Sequence, residues 1–115
     1  MKRKLAIVML LVVLGAAAFA QSPQKGQSPL RMLTGQVVSG NETPVDKAVV
    51  YLKNTKTLAV KTFITNPDGN YRFPALSPNV DYEIYAEANG KRSDTKVLSS
   101  LDSRPSPTIH LKINQ

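Results

Sequence analysis

Cysteine and tryptophan are absent from this chain of 115 residues, and histidine occurs only once, as His110. Without cysteine the chain has no disulfide bond, no thiolate metal site and no thiol nucleophile. A single histidine cannot supply the multi-histidine ligand sets of catalytic metal centres. The composition therefore predicts a fold held together by burial and backbone pairing, with no cofactor and no enzymatic activity.

Acidic residues are absent from the first 20 positions, which hold 16 hydrophobic residues and three of the chain's 15 Lys and Arg. A basic start at residues 2–4 precedes an apolar stretch at 5–14, and Ala18 and Ala20 close the segment. This order is typical of a secretory signal peptide. We predict a signal peptide at residues 1–20, cleavage after Ala20 and a secreted or periplasmic protein. The alternative is that the segment remains as a membrane anchor.

Large apolar residues are also missing from residues 21–29, QSPQKGQSP, which we predict to be a flexible tether. Removal of the leader lowers the formal net charge from +7 to +4, and the remaining basic residues are scattered over a domain at 30–115. Scattered charge on an exported chain favours a solvated surface over a nucleic-acid-binding patch. No second apolar stretch follows. We therefore expect no nucleic-acid partner, and no membrane span after signal cleavage.

Short runs rich in β-branched and aromatic residues alternate with turn signals from residue 30 onward, without helical periodicity. In the clearest run, Tyr82, Ile84 and Ala86 occupy every second position, which is typical of a half-buried strand. The predicted strands are residues 31–39, 47–53, 58–65, 70–74, 80–88, 91–98 and 108–113. Because one-sided strands bury their apolar faces when two sheets pack together, we predict an all-β, seven-stranded antiparallel Greek-key β-sandwich.

Two turn sequences punctuate these strands. The sequence NPDG at 66–69 predicts a hairpin with a bulge, in which Gly69 takes a positive φ and residues 70–74 form the return strand. Asn89-Gly90 is a favoured two-residue hairpin turn, so the strands on either side of it are expected to pair. That pairing would bring basic side chains of one strand near the acidic side chains of the other.

Several turn and core motifs follow one another in a recognisable order. They are a Gly-x-Val first strand (Gly35, Val37), a Pro, Ala, Val step (Pro44, Ala48, Val49), a Thr-x-x-Asp-Gly-x-Tyr-x-Phe hairpin (Thr65, Asp68, Gly69, Tyr71, Phe73), a Leu-x-Pro-x-x-x-Tyr step (Leu76, Pro78, Tyr82) and a closing Ala88 and Gly90. This order resembles the carboxypeptidase regulatory-like domain, a transthyretin-like and Ig-like β-sandwich. The resemblance covers residues 30–113 and implies a non-catalytic accessory module. One departure is Thr43, where the family usually has glycine.

Two tyrosines on outward-facing strand positions are the candidate contact residues. Tyr85 lies on the outer face of the strand at 80–88, and Tyr51 alternates with Val50 and Leu52. Aromatic side chains on a sheet face serve protein contacts and also stack against sugar rings. We predict a module for protein interaction or structural support at the cell envelope, with an unknown partner. The alternatives are a carbohydrate-binding module that uses these tyrosines, and a sheet face that is covered.

Other chemistry has weaker support in the sequence. Asp68, together with Asn66 and Asn70, offers side-chain oxygens of the kind that bind calcium, but only one of the three is charged. The neighbouring proline and glycine explain the stretch as a turn, which is the interpretation that we prefer. His110 alternates outward on the last strand, and we interpret it as an exposed strand residue. The first strand has no lysine to form an isopeptide bond. We predict no catalytic residue and no metal ligand.

Overall fold

The computed structural model describes residues 29–114. The predicted signal peptide with its cleavage site after Ala20 lies outside the described residues, as does the predicted tether apart from Pro29, which is exposed. The described chain forms strands β1 (Arg31–Ser39), β2 (Val49–Asn54), β3 (Val60–Ile64), β4 (Asn70–Leu76), β5 (Tyr82–Ala88), β6 (Lys91–Arg92), β7 (Lys96–Leu98) and β8 (Leu111–Ile113). Over residues 29–114, no helix has the length and apolar character needed to cross a bilayer.

The strands form two sheets, and the predicted all-β sandwich is confirmed. One sheet has three strands in the order β4-β1-β8, and the other has five, in the order β3-β2-β5-β6 with β7 also paired to β5. The predicted strand at 91–98 divides into β6 and β7, whose registers against β5 differ by one residue, and Ser93 between them forms an isolated bridge with Ile113 of the other sheet. All pairs of named strands are antiparallel except β1 and β8, which run parallel.

The core lies between the two sheets and follows the period of two along each strand. On β1, for example, Leu33 and Val37 are fully buried while Thr34 and Gln36 are partly exposed. The buried hydrophobic residues are Leu33, Val37, Ala48, Val50, Leu52, Tyr71, Phe73, Leu76, Val80, Tyr82, Ile84, Ala86, Leu98, Leu111 and Ile113. Alternate residues of the same strands therefore form the outer faces of the sandwich.

The NPDG turn forms as predicted, but the hairpin expected around it does not. Gly69 has a φ of 76°, and its amide donates to the Asn66 carbonyl oxygen at 2.8 Å. β4 pairs with β1, where Tyr71 lies opposite Gly35, while β3 pairs with β2 in the other sheet. The prediction of a return strand beside β3 is therefore wrong. The Val37 amide of β1 donates to the Gly69 carbonyl at 2.8 Å, so the chain after the turn continues along β1 in the opposite sheet.

The Asn89-Gly90 turn closes the predicted hairpin between β5 and β6. Both residues have positive φ, 52° and 76°, as a tight two-residue turn between twisted strands requires. Arg92 lies opposite Glu87 in the resulting register, and its guanidinium is 3.3 Å from the Glu87 carboxylate. The expected proximity of basic and acidic side chains across this hairpin is confirmed.

Gly35 and Tyr71 fit together at the centre of the three-stranded sheet. A Cβ atom on Gly35 would lie 1.8 Å from the Ile109 carbonyl oxygen and 2.6 Å from the Tyr71 hydroxyl. The space is taken because the Tyr71 ring crosses β1 here and its hydroxyl donates to the Ile109 carbonyl. Burial raises the pKa of Tyr71, so the phenol keeps the proton that it donates. Gly35 therefore leaves the room that Tyr71 needs to bind the last segment of the domain to the core.

Candidate interaction surface

The outer face of the five-stranded sheet carries the two candidate tyrosines. Val50 and Leu52 of β2, and Ile84 of β5, point into the core, so Tyr51 and Tyr85 between them point outward. The β2 and β5 register places these tyrosines directly opposite each other. Their rings stack with centroids 4.9 Å apart and planes inclined by 20°. We call this outer surface of β2, β3, β5, β6 and β7 the tyrosine face.

The Tyr85 ring is covered on both sides. Its neighbour on β2 is Tyr51, and from the other direction the Arg92 guanidinium lies 4.3 Å from its ring centroid. β5 separates β2 from β6, so the two neighbours approach from opposite strands. A guanidinium over an aromatic ring is attracted by the negative face of the ring. The remaining side of Tyr51 is directed towards Thr62 of β3, its partner in the register.

Exposed aliphatic side chains flank the tyrosine pair. Val60 and Ile64 of β3 are 54% and 63% exposed, and Val97 of β7 is 56% exposed. Their partners in the register are Lys53, Val49 and Glu83, all outward-facing, so these aliphatic groups lie on the tyrosine face. The other large hydrophobic residues that are exposed between residues 29 and 114 are Leu30, Leu58 and Leu101. Several exposed apolar side chains on one face are typical of a contact surface.

The charged residues of the tyrosine face are balanced. Lys53 lies 4.0 Å from Glu83, and Arg92 lies 3.3 Å from Glu87. Such exposed pairs contribute little to stability, but they set the polar pattern that a partner must match. The pKa of Tyr51 is raised, first by partial desolvation and then by the negative charge of Glu87. Its hydroxyl is therefore protonated at neutral pH and able to donate a hydrogen bond.

The residues predicted as turn and core positions lie away from this face. Tyr71 and Phe73 are buried between the sheets, and their ring centroids lie 6.0 Å apart. The remaining predicted positions are in turns, bridges or close backbone contacts: Gly35, Pro44, Asp68, Gly69, Asn89 and Gly90. They position the strands, while Tyr51 and Tyr85 are the predicted contact residues, and the sheet register brings these two together.

The loop that contains Asp68 is held by two hydrogen bonds within itself and by one from β1. The Asn66 side-chain oxygen accepts from the amides of Asp68 and Asn70, both at 3.0 Å. Gln36 donates from its side chain to the Asp68 carbonyl at 2.9 Å. These bonds use the Asn66 oxygen that a calcium site would need, and they account for the loop as a turn.

His110 lies in an exposed position beside an open concavity of about 520 Å³ that Asn66, Asn70, Thr108 and other residues line. Its Nδ1 accepts a hydrogen bond from the Gln36 amide at 3.1 Å. Within residues 29–114, no three His, Cys, Asp or Glu side chains come together as metal ligands. The residues that line this concavity include no carboxylate. A second concavity of about 370 Å³ is lined by His110 together with Glu42 and Asp94, and Glu42 is paired with Lys112 at 2.6 Å.

Sequence reasoning missed the role of Arg31, which is only 3% exposed. Its guanidinium donates to the carbonyl oxygens of Ser99 at 2.7 Å, Asp102 at 3.1 Å, Ser77 at 2.8 Å and Val80 at 2.9 Å. The alternation of β1 could have revealed this position, because residue 31 lies an even number of positions from the buried residues Leu33 and Val37. Arg31 joins two loops at one end of the sandwich and takes no part in the tyrosine face.

The structure defines a β-sandwich domain with one aromatic and aliphatic outer face. Residues 32–112 match the carboxypeptidase regulatory-like domain, and the chain belongs to this family. The resemblance drawn from the sequence is confirmed. No curated protein matches the chain.

Solved structures share the fold at low sequence identity. A 3-chlorocatechol 1,2-dioxygenase from Rhodococcus opacus 1CP is 9% identical, with a TM-score of 0.57 over 79% of this chain and 61% of the enzyme. BcpA, the major pilin subunit of Bacillus cereus, is 12% identical, with a TM-score of 0.56 over 74% of this chain and 30% of the pilin. A C-terminal fragment of the pilus adhesin SpaC from Lactobacillus rhamnosus GG is 9% identical, with a TM-score of 0.51 over 76% of this chain and 45% of the fragment. The chain thus spans less than two thirds of each of these structures, and the likeness concerns the fold.

Proposed function

We propose that this protein is an exported, non-catalytic β-sandwich module that binds a protein partner at the cell envelope through its tyrosine face. The observation that carries the proposal is the stacked pair of Tyr51 and Tyr85 within a patch of exposed Val60, Ile64 and Val97. Aromatic anchors surrounded by aliphatic groups and balanced charge are common in the centres of protein interfaces. The regulatory-like family is consistent with a binding role.

The covering of Tyr85 favours a protein partner over a sugar. A sugar ring stacks on a free aromatic face, and the faces of Tyr85 are occupied by Tyr51 and by the Arg92 guanidinium. Aliphatic side chains such as Ile64 and Val97 gain more from contact with an apolar protein surface than with sugar hydroxyls. The carbohydrate-binding alternative has only the side of Tyr51 that faces Thr62 as a platform.

Export to the cell exterior is supported by the sequence of residues 1–20 and by the likeness to a pilin and a pilus adhesin. A non-catalytic role is supported by the regulatory-like family and by His110, whose Nδ1 already accepts from a backbone amide. A tether at residues 21–29 would separate the domain from whatever precedes it. We therefore place the module outside the cytoplasm, in the periplasm or beyond it.

Site-specific crosslinking in intact cells tests the proposed face. A photoreactive amino acid replaces Thr62 on the tyrosine face or, as a control, Arg72 of β4, which is exposed on the other sheet. We expect a protein adduct from position 62 and none from position 72. Introducing Val97→Lys should remove the adduct because it places a charge on the face, whereas Leu101→Lys, at a residue 90% exposed elsewhere, should leave it unchanged.

Two results would overturn the proposal. One is an adduct that forms equally from position 72 or persists unchanged with Val97→Lys. The other is binding of the purified protein to a glycan array, lost in Tyr51→Ala, with no protein adduct in cells. That second result would establish the carbohydrate-binding alternative.

A further inference from the structure

One long edge of the tyrosine face is open, and the hydrogen-bond pattern of β3 shows which backbone groups line it. The Thr65 amide donates to the Ala48 carbonyl at 2.9 Å, and the Asn54 amide donates to the Ala59 carbonyl at 2.9 Å. The backbone groups of residues 59 and 65 therefore point towards β2. Because alternate residues of an antiparallel strand face opposite neighbours, the even-numbered residues of β3 direct their amides and carbonyls away from β2.

The even-numbered residues are Val60, Thr62 and Ile64. Between residues 29 and 114, no backbone or side-chain group is hydrogen-bonded to their amides or carbonyls. Their side chains point to the tyrosine face, where Val60 and Ile64 are more than half exposed. This edge thus offers three amides, three carbonyls and two aliphatic side chains to an added strand.

The edge of the other sheet formed by β4 is unsuited to such pairing. β4 is also an edge strand, but Pro74 has no amide hydrogen and Ala75 has a φ of 60°, which interrupts the extended backbone. β3 has neither a proline nor a positive φ. Of the two, only β3 therefore keeps the regular pattern that an incoming strand needs.

The charge around β3 identifies the kind of strand that would fit. Residues 47–67 contain four lysines and no Asp or Glu. Lys53 pairs with Glu83, whereas Lys56 and Lys61 form no ion pair within residues 29–114. Lys61 alternates with the outward residues, so it points to the opposite side of the sheet from the tyrosines. A second copy of β3 would bring another set of lysines to this edge, whereas an acidic segment would neutralise them.

We propose that the free edge of β3 binds an extended acidic segment of a partner protein, which joins the five-stranded sheet as an antiparallel strand. Residues of the segment that exchange hydrogen bonds with Val60, Thr62 and Ile64 place their side chains on the tyrosine face, because directly opposite residues share a face. Aliphatic residues fit there. The residues between them lie on the other side, where carboxylates meet Lys61. The site depends on the backbone of one edge, so it is separable from the contacts proposed for Tyr51 and Tyr85.

Designed peptides test this site on the protein as its own host exports and processes it. The first probe is an acetylated peptide of alternating valine and glutamate that is longer than β3, which has 5 residues. We expect it to shift the amide resonances of Val60, Thr62 and Ile64 and to protect these amides from exchange. A peptide of alternating valine and lysine should bind more weakly, and the difference should shrink as salt is added.

Backbone methylation gives a matched pair of controls. The valines are the residues predicted to bond to the edge, so methylating their amide nitrogens should abolish binding. Methylating the glutamate nitrogens instead should leave binding intact, because those groups point away from β3. Equal binding of the two methylated peptides, or no binding of the unmethylated one, would overturn the proposal.

Variants of the protein complete the test. Lys61→Glu should weaken binding of the valine and glutamate peptide by roughly five-fold, as expected for loss and reversal of one exposed ion pair, and should favour the lysine peptide. Lys91→Glu, an exposed change on β6 away from this edge, should have no effect. Thr62→Pro should abolish binding without removing a bond to β2. If sedimentation instead shows a dimer that Thr62→Pro dissociates, with no peptide binding, the occupant is a second copy and the proposal is wrong.

Discussion

Replacing Arg31 by methionine tests whether one buried charge holds together one end of the sandwich. The guanidinium lies among four carbonyl oxygens, two in the loop at 77–80 and two in the loop at 99–102, at 2.7 to 3.1 Å. Methionine keeps an unbranched apolar stem in the same space but donates no hydrogen bond. Arg31→Met therefore removes all four bonds while leaving β1 able to pair with its neighbours.

The expected cost follows from these bonds. A hydrogen bond from a charged donor is worth about 1.5 to 3 kcal/mol when its acceptor is desolvated. The hydrogen bond to the Val80 carbonyl is buried, so this carbonyl would lose its partner. The other three bonds are partly buried, and their carbonyls can bind water instead. Removing the guanidinium also removes the cost of burying its charge. We therefore expect a net loss of about 3 kcal/mol, a large part of the roughly 5 to 10 kcal/mol typical of a small domain.

Urea denaturation measures this loss, and hydrogen exchange locates it. Arg72→Met, an exposed change on β4, is the control and should alter the free energy of unfolding by less than about 0.5 kcal/mol. In Arg31→Met, amides of the loops at 77–80 and 99–102 should exchange faster, while those of β2 and β5 should keep their protection below the global unfolding limit. A loss below about 1 kcal/mol, or unchanged exchange in both loops, would refute the assignment of Arg31 as the link between them.

Two further predictions concern the backbone and the pH response. Gly35→Ala should destabilise the domain by about 3 kcal/mol or more in urea denaturation, because the added methyl would meet the Ile109 carbonyl oxygen at 1.8 Å; a loss near zero would contradict the close contact. Hydrogen bonds from Arg104 lower the pKa of Asp102 from 3.8 to about 2. The ionised carboxylate therefore stabilises the fold above about pH 4, and this contribution is lost as the pH falls towards 2. Asp102→Asn should remove that part of the acid dependence of the urea midpoint, and a carboxyl that titrates near 4 by NMR would contradict it.

The period of two in the sequence was enough to predict which way strand side chains point. The neighbours of Tyr51 and Tyr85 alone predict outer positions for both residues, and in the structure both are half-buried on the outer side of one sheet. The stacked contact between them could not be predicted, because it depends on the register of β2 against β5. Register between strands far apart in sequence is set by the whole core and by no local signal.

The pairing of β4 with β1 could not be predicted from the sequence for a related reason. The turn chemistry of residues 66–69 specifies a tight reversal of the chain with a positive φ at Gly69, and the structure has both. It does not specify which strand the chain meets next. In the structure the β4 position goes with the packing of Tyr71, whose ring lies against Gly35 and whose hydroxyl donates to the Ile109 carbonyl. A long-range packing requirement thus overrides a local hairpin signal.

The predictions for the tyrosine face and for the β3 edge meet at Thr62. Its side chain lies beside Tyr51 on the face, while its amide and carbonyl point to the free edge. An added strand would therefore extend the same face by one row of side chains, next to Val60 and Ile64. A partner that used both surfaces would gain affinity from each without a second tether. For such a partner, Val97→Lys and Lys61→Glu should each weaken binding, and their free-energy losses should add, because β2 and β5 lie between the two residues in the sheet. If each variant instead weakens the binding of a different protein, face and edge bind separate partners.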